Sequence, residues 1–395
     1  MLSVSALIRQ SVTTGDVLRY GRSSRGPAPL LHFSEDKKPI MVWNVTQRCN
    51  LHCMHCYASS SDKEYPGELS TEEGFALLAD AAAFGVPVAL FSGGEPMLRP
   101  DLFVLMRKAR DLGMRTVLST NGTQIGADEA KELKEIGVSY VGVSLDGLQP
   151  THDLVRGSKG AFDSALRGIK TCQAEGIKTG LRVTVHKKNA DQMPDLMRLM
   201  TEERIDRMCI YHLAYAGRGE LISGYDLNNE ETRELIWNVF DWVASWPEGD
   251  PRELLTVDNH ADAPFLYLWL REHKPELAKE VGQLLSWNGG NQSGIAISCV
   301  DPQGNVHPDQ FSWKHTLGNV REKPLSAIWT DKENPMLSFY RNRRAQIQGR
   351  CSDCKFYSWC NGNLRIRAES ATGDIAGQDP ACYLTQAEIL AGPDF

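Results

Sequence analysis

The sequence predicts an α/β fold, an open partial barrel of six β/α units followed by a C-terminal region that contains a cluster of cysteines. From residue 40 to about residue 215, short apolar runs alternate with amphipathic stretches of helical period, which is typical of parallel strands joined by helices. Glycines end several helical stretches just before the next apolar run, as they do at helix C-termini. Because a closed TIM barrel has eight units, we expect a partial (β/α)6 TIM-like barrel.

The strands and helices of this barrel have local signals. Strands are predicted at residues 40–45, 86–91, 115–119, 139–145, 179–185 and 208–213. The first helix begins at a capping box, in which Ser70 and Glu73 each satisfy a backbone N–H of the same turn. The glycines that mark helix ends are Gly85, Gly113, Gly137 and Gly176.

The pattern divides the chain into four segments. Residues 1–39 contain Gly, Ser and Pro clusters and are predicted to form an N-terminal arm. Residues 40–223 form the barrel core, and residues 224–290, with Trp- and Leu-rich helical patterns, form a helical bridging segment. Residues 291–395 contain short elements, turns and the cysteine cluster, and are predicted to form a C-terminal domain.

Composition limits the function classes. The chain has 395 residues and a formal net charge of −7, which argues against a general nucleic-acid binder, since such proteins usually present a basic face. The N-terminus lacks the basic start and long apolar core of a signal peptide, and no run approaches the ~20 apolar residues that span a bilayer. We expect a cytoplasmic protein without nucleic-acid or membrane partners, whose ten cysteines are ligands or free thiols before disulfides.

Three cysteines, Cys49, Cys53 and Cys56, lie within eight residues just after the first predicted strand. Their C-x3-C-x2-C spacing supplies three thiolates and leaves one coordination position open, as in a catalytic metal site. A [4Fe–4S] cluster normally takes four cysteines, so a set of three implies another ligand on the fourth iron. A zinc loop is the alternative. His52 and His55 are expected to shape the loop or to tune its potential.

Glycines and polar side chains recur at the next strand ends. The second strand ends in Gly93, Gly94 and Glu95, where glycines permit close approach to a ligand and the carboxylate offers an acceptor for a cationic amine. Further polar residues lie at or within the third, fourth and fifth strands, namely Asn121, Ser144 and Arg182. Turn formation explains any one of them, but their recurrence indicates a ligand site at one rim of the barrel.

The cysteine loop, followed by Tyr57 and by the Gly-Gly-Glu-Pro strand end, resembles the radical S-adenosylmethionine (SAM) superfamily over about residues 40–215. The resemblance implies a [4Fe–4S] cluster on the three loop cysteines, with S-adenosyl-L-methionine on the free iron. It also implies one-electron cleavage of the cofactor to a 5′-deoxyadenosyl radical, with reduced flavodoxin or ferredoxin as electron donor. The residues that it assigns to the cofactor site are Gly93, Gly94, Glu95, Asn121, Ser144 and Arg182.

A second set of cysteines lies near the C-terminus and comprises Cys351, Cys354, Cys360 and Cys382. Four thiolates complete either a zinc site or an iron–sulfur cluster, and spacing alone leaves both open. The set resembles the SPASM/twitch-like extension of radical SAM enzymes, which implies a second, auxiliary [4Fe–4S] cluster. The fuller form of that extension has cysteines where this chain has Asp309 and Leu364. We therefore expect one auxiliary cluster, with Cys299 as a free thiol.

Longer stretches resemble the radical enzymes that trim side chains from sirohaem-derived tetrapyrroles. The segments that carry this likeness are 16–21, 65–69, 211–219, 258–262, 287–290, 307–311 and 379–384. The resemblance implies haem biosynthesis, with removal of the two acetate side chains of 12,18-didecarboxysirohaem to give Fe-coproporphyrin III. Propionate removal in haem d1 formation and oxidative decarboxylation of Fe-coproporphyrin III to haem are alternatives. A peptide-modifying radical SAM enzyme is a more distant one, because residues 1–39 are few for a peptide-recognition domain.

An iron tetrapyrrole with several carboxylates requires cationic partners in an otherwise apolar pocket. The candidates for this role are Arg156, Arg182, Arg218, His212 and Lys314. The substrate iron could take an imidazole ligand, and the candidates for it are His212, His260, His307 and His315. For any one histidine, a structural hydrogen-bonding role is the simpler interpretation. No catalytic residue is assigned from the sequence.

Overall fold

The structure, a computed structural model, describes residues 1–11, 22–23, 26–27 and 38–394. Most of the predicted arm and the segment 16–21 therefore lie outside the described residues. The described strands are β1 (Leu2–Ser3), β2 (Arg22–Ser23), β3 (Gly26–Pro27), β4 (Ile40–Asn44), β5 (Val88–Ser92), β6 (Arg115–Thr120), β7 (Val141–Ser144), β8 (Thr179–Val185), β9 (Arg207–His212), β10 (Glu253–Val257), β11 (Ile297–Val300), β12 (Asn305–His307) and β13 (Gly318–Asn319).

Helices alternate with these strands through the core and dominate the region after it. The described helices are α1 (Val4–Arg9), α2 (Thr71–Phe84), α3 (Leu102–Asp111), α4 (Ala127–Ile136), α5 (Gln149–Arg156), α6 (Ala161–Ala174), α7 (Met193–Glu202), α8 (Arg218–Leu221), α9 (Asn229–Ala244), α10 (Asp262–His273), α11 (Pro275–Asn288), α12 (Leu325–Thr330), α13 (Pro335–Arg341), α14 (Tyr357–Cys360), α15 (Arg365–Thr372) and α16 (Gln386–Ala391). No helix in the described part of the chain is long and apolar enough to cross a membrane.

One sheet organises the molecule. Its strand order is β1-β10-β9-β8-β7-β6-β5-β4-β11-β12-β13, while β2 and β3 form a separate antiparallel ribbon. The eight strands from β10 through β4 to β11 are parallel to one another, whereas β1 and β12 pair with the two ends of this set in antiparallel fashion. Strand β1 and strand β13 are the edges of the described sheet, so the barrel is open. The predicted partial barrel is thereby confirmed, with all six predicted strands in place.

Two further parallel strands extend the six that were predicted. Strand β11 pairs with β4, which brings the C-terminal region into the same sheet. Strand β10 pairs with β9 and lies inside residues 224–290, so the prediction that this segment is helical holds for α9, α10 and α11 but not for β10. All five residues of β10 are buried. A short, fully buried strand lacks the alternation that would separate it from a helical pattern.

Local signals place the helices on the sheet. The Ser70 hydroxyl accepts from the Glu73 N–H at 3.2 Å, and the Glu73 carboxylate accepts from the Ser70 N–H at 2.8 Å, as the capping box predicts. Gly85 ends α2 in the left-handed conformation at φ 91°. Beneath α2, the wholly buried Trp43 of β4 packs against Phe91 of β5 with ring centroids 5.9 Å apart. Each such large apolar side chain contributes about 1.5–3 kcal/mol when buried.

Candidate active site

The carboxyl ends of the parallel strands enclose an open cavity of about 400 Å³, closed on one side by the C-terminal region. Volumes of this size are typical of small-molecule sites. Residues assigned from the sequence that line it are Cys49, Cys53, Cys56, Gly93, Gly94, Asn121, Ser144 and Arg182. The cysteine loop and four successive strand ends therefore meet at one rim, as expected for a parallel sheet.

The three cysteines of the loop line this cavity. Cys49 and Cys53 are buried, and Cys56 is partly exposed. Burial raises the pKa of the Cys49 thiol to about 12, with smaller upward contributions from the neighbouring charges of Glu95, Cys53 and Cys56. Because thiols must lose a proton to bind metal, these cysteines would release protons when a cluster is inserted. Their donor set fits three irons of a [4Fe–4S] cluster, and their role as its ligands stays a prediction.

The end of α5 holds the cysteine loop by its backbone. The N–H groups of His52 and Met54 donate to the carbonyls of Arg156 and Val155, at 3.1 and 2.9 Å. The loop path is therefore set by the last turn of one helix rather than by the cysteines themselves.

Arg156, a candidate for substrate carboxylates, also supports this loop. Its guanidinium donates to Cys53 Sγ at 3.4 Å and lies 2.5 Å from Asp146 Oδ2. Burial opposes the charge of Asp146, but Arg156, His55 and His152 hold the pKa of its carboxyl at about 2. Arg156 thus carries a positive charge to the thiolate site and is paired with a buried carboxylate. It also lines the cavity, and its role toward a substrate carboxylate stays a prediction.

His55 belongs to the loop itself, and its ring is neutral. Burial lowers its pKa to about 3, although the Asp146 carboxylate 3.5 Å away opposes the shift. This position agrees with a role in shaping the loop.

Arg218 also supports the cysteine loop. Its Nε donates to the Cys53 carbonyl at 2.7 Å, and its Nη1 donates to the Ser60 carbonyl at 2.8 Å. Its own backbone N–H donates to the Cys56 carbonyl at 3.0 Å. The guanidinium therefore joins the cysteine loop to the start of α8. Arg218 also lines the cavity, and its role toward a substrate carboxylate stays a prediction.

Gly93 and Gly94 let strand β5 and the cysteine loop approach each other. A Cβ on Gly93, whose φ is +143°, would lie 2.4 Å from the Thr46 carbonyl oxygen, and one on Gly94 would lie 2.3 Å from that of Arg48. The Gly94 N–H donates to the Thr46 carbonyl at 2.7 Å. The close approach that requires glycine is thus to the protein's own backbone, on the wall of the cavity.

Glu95 lies behind that wall. Its carboxylate is wholly buried and accepts from the Thr120 hydroxyl, the Met97 N–H and the Asn121 N–H at 2.7, 3.1 and 2.7 Å. Three of the about four acceptor positions of a carboxylate are thereby occupied. Glu95 joins the ends of β5 and β6, and contact with a cofactor amine stays a prediction that needs its remaining acceptor position.

Three polar side chains face the cavity from neighbouring strands. The Asn121 amide donates to Asn50 Oδ1 at 2.9 Å and lies 3.9 Å from Cys49 Sγ. Ser144 of β7 lies directly beside Arg182 of β8 in the sheet register. The Arg182 guanidinium stacks over the Tyr211 ring at 4.6 Å, and among the described residues no acceptor takes a hydrogen bond from it. Arg182 is therefore available to an anionic group.

The four C-terminal cysteines also gather in space. Burial raises the pKa of Cys360, and the nearby Cys382, Cys351 and Cys354 raise it further. In the described parts of the chain, no group of three or more His, Cys, Asp or Glu side chains converges on a single-ion position. The role of these four cysteines as ligands of an auxiliary [4Fe–4S] cluster stays a prediction.

Cys299 belongs to neither cysteine set. It lies on strand β11, which pairs with β4. It is wholly buried, and its sulfur accepts from the Asn44 amide at 3.2 Å. This placement agrees with a free thiol.

Residues 258–262 form a part of the cavity wall to which the sequence assigned no role except for His260. Asp258, at φ 68°, and His260 line the cavity. Burial raises the pKa of the Asp258 carboxyl to about 7, and Asp309 adds to the shift against the charges of Arg367 and Arg182. The Arg367 guanidinium donates to the Asp258 carbonyl at 2.9 Å, so α15 of the C-terminal region fixes this turn.

Three of the remaining candidates, His307, His315 and Lys314, lie outside the cavity lining. The ring nitrogens of His307 contact the His315 carbonyl at 2.9 Å and Asp301 Oδ2 at 3.2 Å, so neither is free. His315 bonds Glu369 Oε2 at 2.7 Å. Lys314 is exposed, 3.4 Å from Glu220. Tertiary contacts, which the sequence does not display, decide these three placements, and His212 and His260 remain from the original set of histidines.

An open parallel barrel with a three-thiolate loop at its strand ends and a second thiolate set beside it defines an iron–sulfur enzyme of the radical SAM type. The Radical SAM superfamily model matches residues 43–200, and the model of an iron–sulfur cluster-binding domain matches residues 294–355. The fold is similar to that of Streptococcus suis SuiB bound to S-adenosylmethionine, with a TM-score of 0.68 and 19% identity over 88% of this chain and 78% of SuiB.

Two other enzymes are more similar to this chain in sequence than SuiB is. The chain is 53% identical to Fe-coproporphyrin III synthase of Methanosarcina barkeri, over 98% of this chain and 99% of the relative. It is 42% identical to pre-heme d1 synthase of Dinoroseobacter shibae, over 91% and 89%. The chain belongs to the radical SAM superfamily, in the same family as these enzymes. Its cofactors are S-adenosyl-L-methionine and [4Fe–4S] clusters.

Proposed function

We propose that this enzyme removes the two acetate side chains of 12,18-didecarboxysirohaem and so forms Fe-coproporphyrin III in haem biosynthesis. The observation that carries the proposal is the 53% identity to Fe-coproporphyrin III synthase along almost the whole of both chains. Pre-heme d1 synthase, the relative that represents the main alternative, is less similar at 42%.

The cavity has the chemistry that such a substrate needs. A carboxylate-rich tetrapyrrole requires a cationic partner and flat apolar surfaces. Arg182 supplies a partly exposed guanidinium that donates to no acceptor among the described residues. Tyr211 and Phe311 supply aromatic surface on the cavity wall. The substrate would lie between the barrel rim and the C-terminal region.

The chain's own residues prepare the radical chemistry. Cys49, Cys53 and Cys56 would hold the cluster whose electron cleaves S-adenosyl-L-methionine and so supplies a 5′-deoxyadenosyl radical for hydrogen abstraction. Arg156 holds positive charge against Cys53, and Arg218 fixes the loop backbone. The C-terminal region covers the cavity, which keeps water away from a reactive radical. We expect reduced flavodoxin or ferredoxin as electron donor.

The test is an anaerobic assay with reductant, S-adenosyl-L-methionine and each of three separate substrates. These are 12,18-didecarboxysirohaem, Fe-coproporphyrin III and a peptide substrate of a radical SAM maturase. We expect turnover of 12,18-didecarboxysirohaem to a product with the mass of Fe-coproporphyrin III. Propionate loss from either tetrapyrrole, or turnover of the peptide alone, would contradict the proposed function.

A further inference from the structure

The described histidines that line the cavity are His55, His212 and His260. His55 belongs to the cysteine loop and lies beside Asp146. His212 ends strand β9, and His260 lies in the turn after β10, so both approach the cavity from the side of the sheet opposite to β4. The two histidines therefore lie at the ends of two neighbouring parallel strands.

Hydrogen bonds fix the ring of His212. Its Nε2 lies 3.0 Å from Asp262 Oδ2, and Asp262 is wholly buried at the first turn of α10. The other oxygen of Asp262 accepts from the Tyr383 hydroxyl at 2.6 Å. Burial and the adjacent Asp262 raise the pKa of Tyr383 far above its usual range, so the phenol keeps its proton and donates.

The proton on His212 follows from this network. A carboxylate only accepts hydrogen bonds, so the His212 nitrogen beside Asp262 carries the proton. The other nitrogen, Nδ1, is then an acceptor with a free lone pair, and no described residue donates to it. A histidine that donates one N–H to a buried carboxylate is the usual arrangement of a metal ligand, because the carboxylate fixes the tautomer and raises the basicity of the opposite nitrogen.

His260 lacks this arrangement. Its backbone N–H donates to Asn363 Oδ1 at 2.6 Å, but no carboxylate bonds to its ring in the described structure. Its ring is therefore neither oriented nor made more basic by an anionic partner. Of the two neighbouring histidines, His212 is the one that the surrounding residues prepare for metal.

We propose that His212 binds the iron of the tetrapyrrole substrate through Nδ1 and so fixes the macrocycle relative to the radical-generating loop. This inference rests on the proposed function, since it requires an iron tetrapyrrole in the cavity. Asp262 and Tyr383 are positioning residues, which act through His212 and do not touch the iron themselves.

The experiment uses the reconstituted holoenzyme, labelled with ¹⁵N-histidine, with ferric Fe-coproporphyrin III as the probe. Electron paramagnetic resonance with nitrogen hyperfine detection reports whether a protein imidazole binds the iron. We expect a ¹⁵N coupling in the wild type, its loss in His212→Ala, and recovery of an imidazole-bound spectrum when free imidazole is added to that variant. Unchanged iron and sulfide contents show that the variant is folded.

The matched controls are His315→Ala and His260→Ala. His315 also bonds a carboxylate, at 2.7 Å from Glu369, but lies outside the cavity lining, so its removal should leave the coupling intact. Asp262→Asn should keep the coupling and weaken binding of the tetrapyrrole about 10- to 100-fold, as is usual for carboxylate partners of ligand histidines.

A coupling that survives in His212→Ala, or that disappears only in His260→Ala, would overturn the assignment of His212. Turnover of 12,18-didecarboxysirohaem without any histidine coupling in the wild type would overturn that assignment and leave the proposed function intact. Absence of both turnover and tetrapyrrole binding would overturn both.

Discussion

The hydroxyl of Tyr383 donates to Asp262 Oδ1 at 2.6 Å. Tyr383 directly follows Cys382 in the C-terminal cysteine set, and Asp262 orients the ring of His212. Asn259 makes a parallel link on the other side of Cys382, since its amide donates to the Ala381 carbonyl at 2.8 Å. The cysteine region is therefore joined by two hydrogen bonds to the segment after β10 that lines the cavity at His260.

Removing the Tyr383 hydroxyl should loosen this link. In Tyr383→Phe, the buried Asp262 loses a donor, which costs about 1–3 kcal/mol in cases of this kind, and the His212 ring becomes less well oriented. We expect severalfold weaker binding of Fe-coproporphyrin III, measured by anaerobic absorbance titration, with normal iron content. Tyr215→Phe is the matched control, because its hydroxyl donates to Asp226 at 2.9 Å outside the cavity lining. Equal weakening in both variants would contradict the link.

The two cysteine sets should be separable by substitution. Wild-type protein reconstituted under anaerobic conditions should contain about eight irons, four for each of two [4Fe–4S] clusters. Cys53→Ala should abolish cofactor cleavage, whereas Cys354→Ala should remove the auxiliary cluster and spare the first. Cys172→Ala, a buried core thiol of α6, is the control and should change neither iron content nor cleavage.

Chemical iron and zinc analysis, with detection of 5′-deoxyadenosine, measures both effects. About twelve irons would contradict a single auxiliary cluster, and zinc in place of iron would contradict the cluster itself. Cofactor cleavage in Cys53→Ala would overturn the assignment of the loop.

Arg156 should contribute to the stability of the folded protein through its ion pair with Asp146. Arg156→Met leaves Asp146 wholly buried without its closest cation, and breaking a buried pair on one side costs about 3–5 kcal/mol. We expect a lower free energy of unfolding in anaerobic denaturant titrations. Arg167→Met, on the exposed face of α6, is the control with little expected change. A variant of Arg156 as stable as the control would show that the pair with Asp146 is dispensable.

Asp258 should make stability depend on pH. Its carboxyl has a pKa of about 7 in the folded protein and about 3.9 when unfolded, so the folded state holds an extra proton between these values. The stabilisation linked to that proton is complete below about pH 4 and is lost as pH rises to about 7. Asp258→Asn should therefore gain stability relative to wild type as pH increases from 4 to 7, in denaturant titrations at each pH.

Asp128→Asn, at the exposed first turn of α4, is the control for this pH series. A constant difference between wild type and Asp258→Asn across the range would contradict a proton held by Asp258.

The barrel could be predicted from the sequence, because the signals that mark its helices and strands are local. The capping box at Ser70 and the terminal glycine at Gly85 act within a single turn, and the apolar runs between such signals identify the strands. Strand β10 was not predicted, because its five residues are all buried and so show no alternation of buried and exposed positions. Helices also flank it on both sides. Its position in the sheet depends on pairing with β9, which is a tertiary contact.

In the site, too, the features set by local sequence could be predicted, and those set by tertiary contacts could not. The spacing of Cys49, Cys53 and Cys56 gathered the loop thiols correctly at one place, since eight residues of chain cannot separate them far. The contacts of Arg156 and Arg218 with the cysteine loop could not be predicted, because a long side chain near a strand end can turn toward the substrate or toward the protein backbone. Only the fold shows that both turn toward the cysteine loop.

Isotope-labelled substrate tests the proposed reaction most directly. We would supply 12,18-didecarboxysirohaem that carries ¹³C only in its two acetate side chains, under anaerobic turnover with S-adenosyl-L-methionine, and analyse the tetrapyrrole product by high-resolution mass spectrometry. We predict Fe-coproporphyrin III that has lost both labelled acetates and retains every propionate. A product that keeps the label while losing carbon from its propionates would contradict the proposed function.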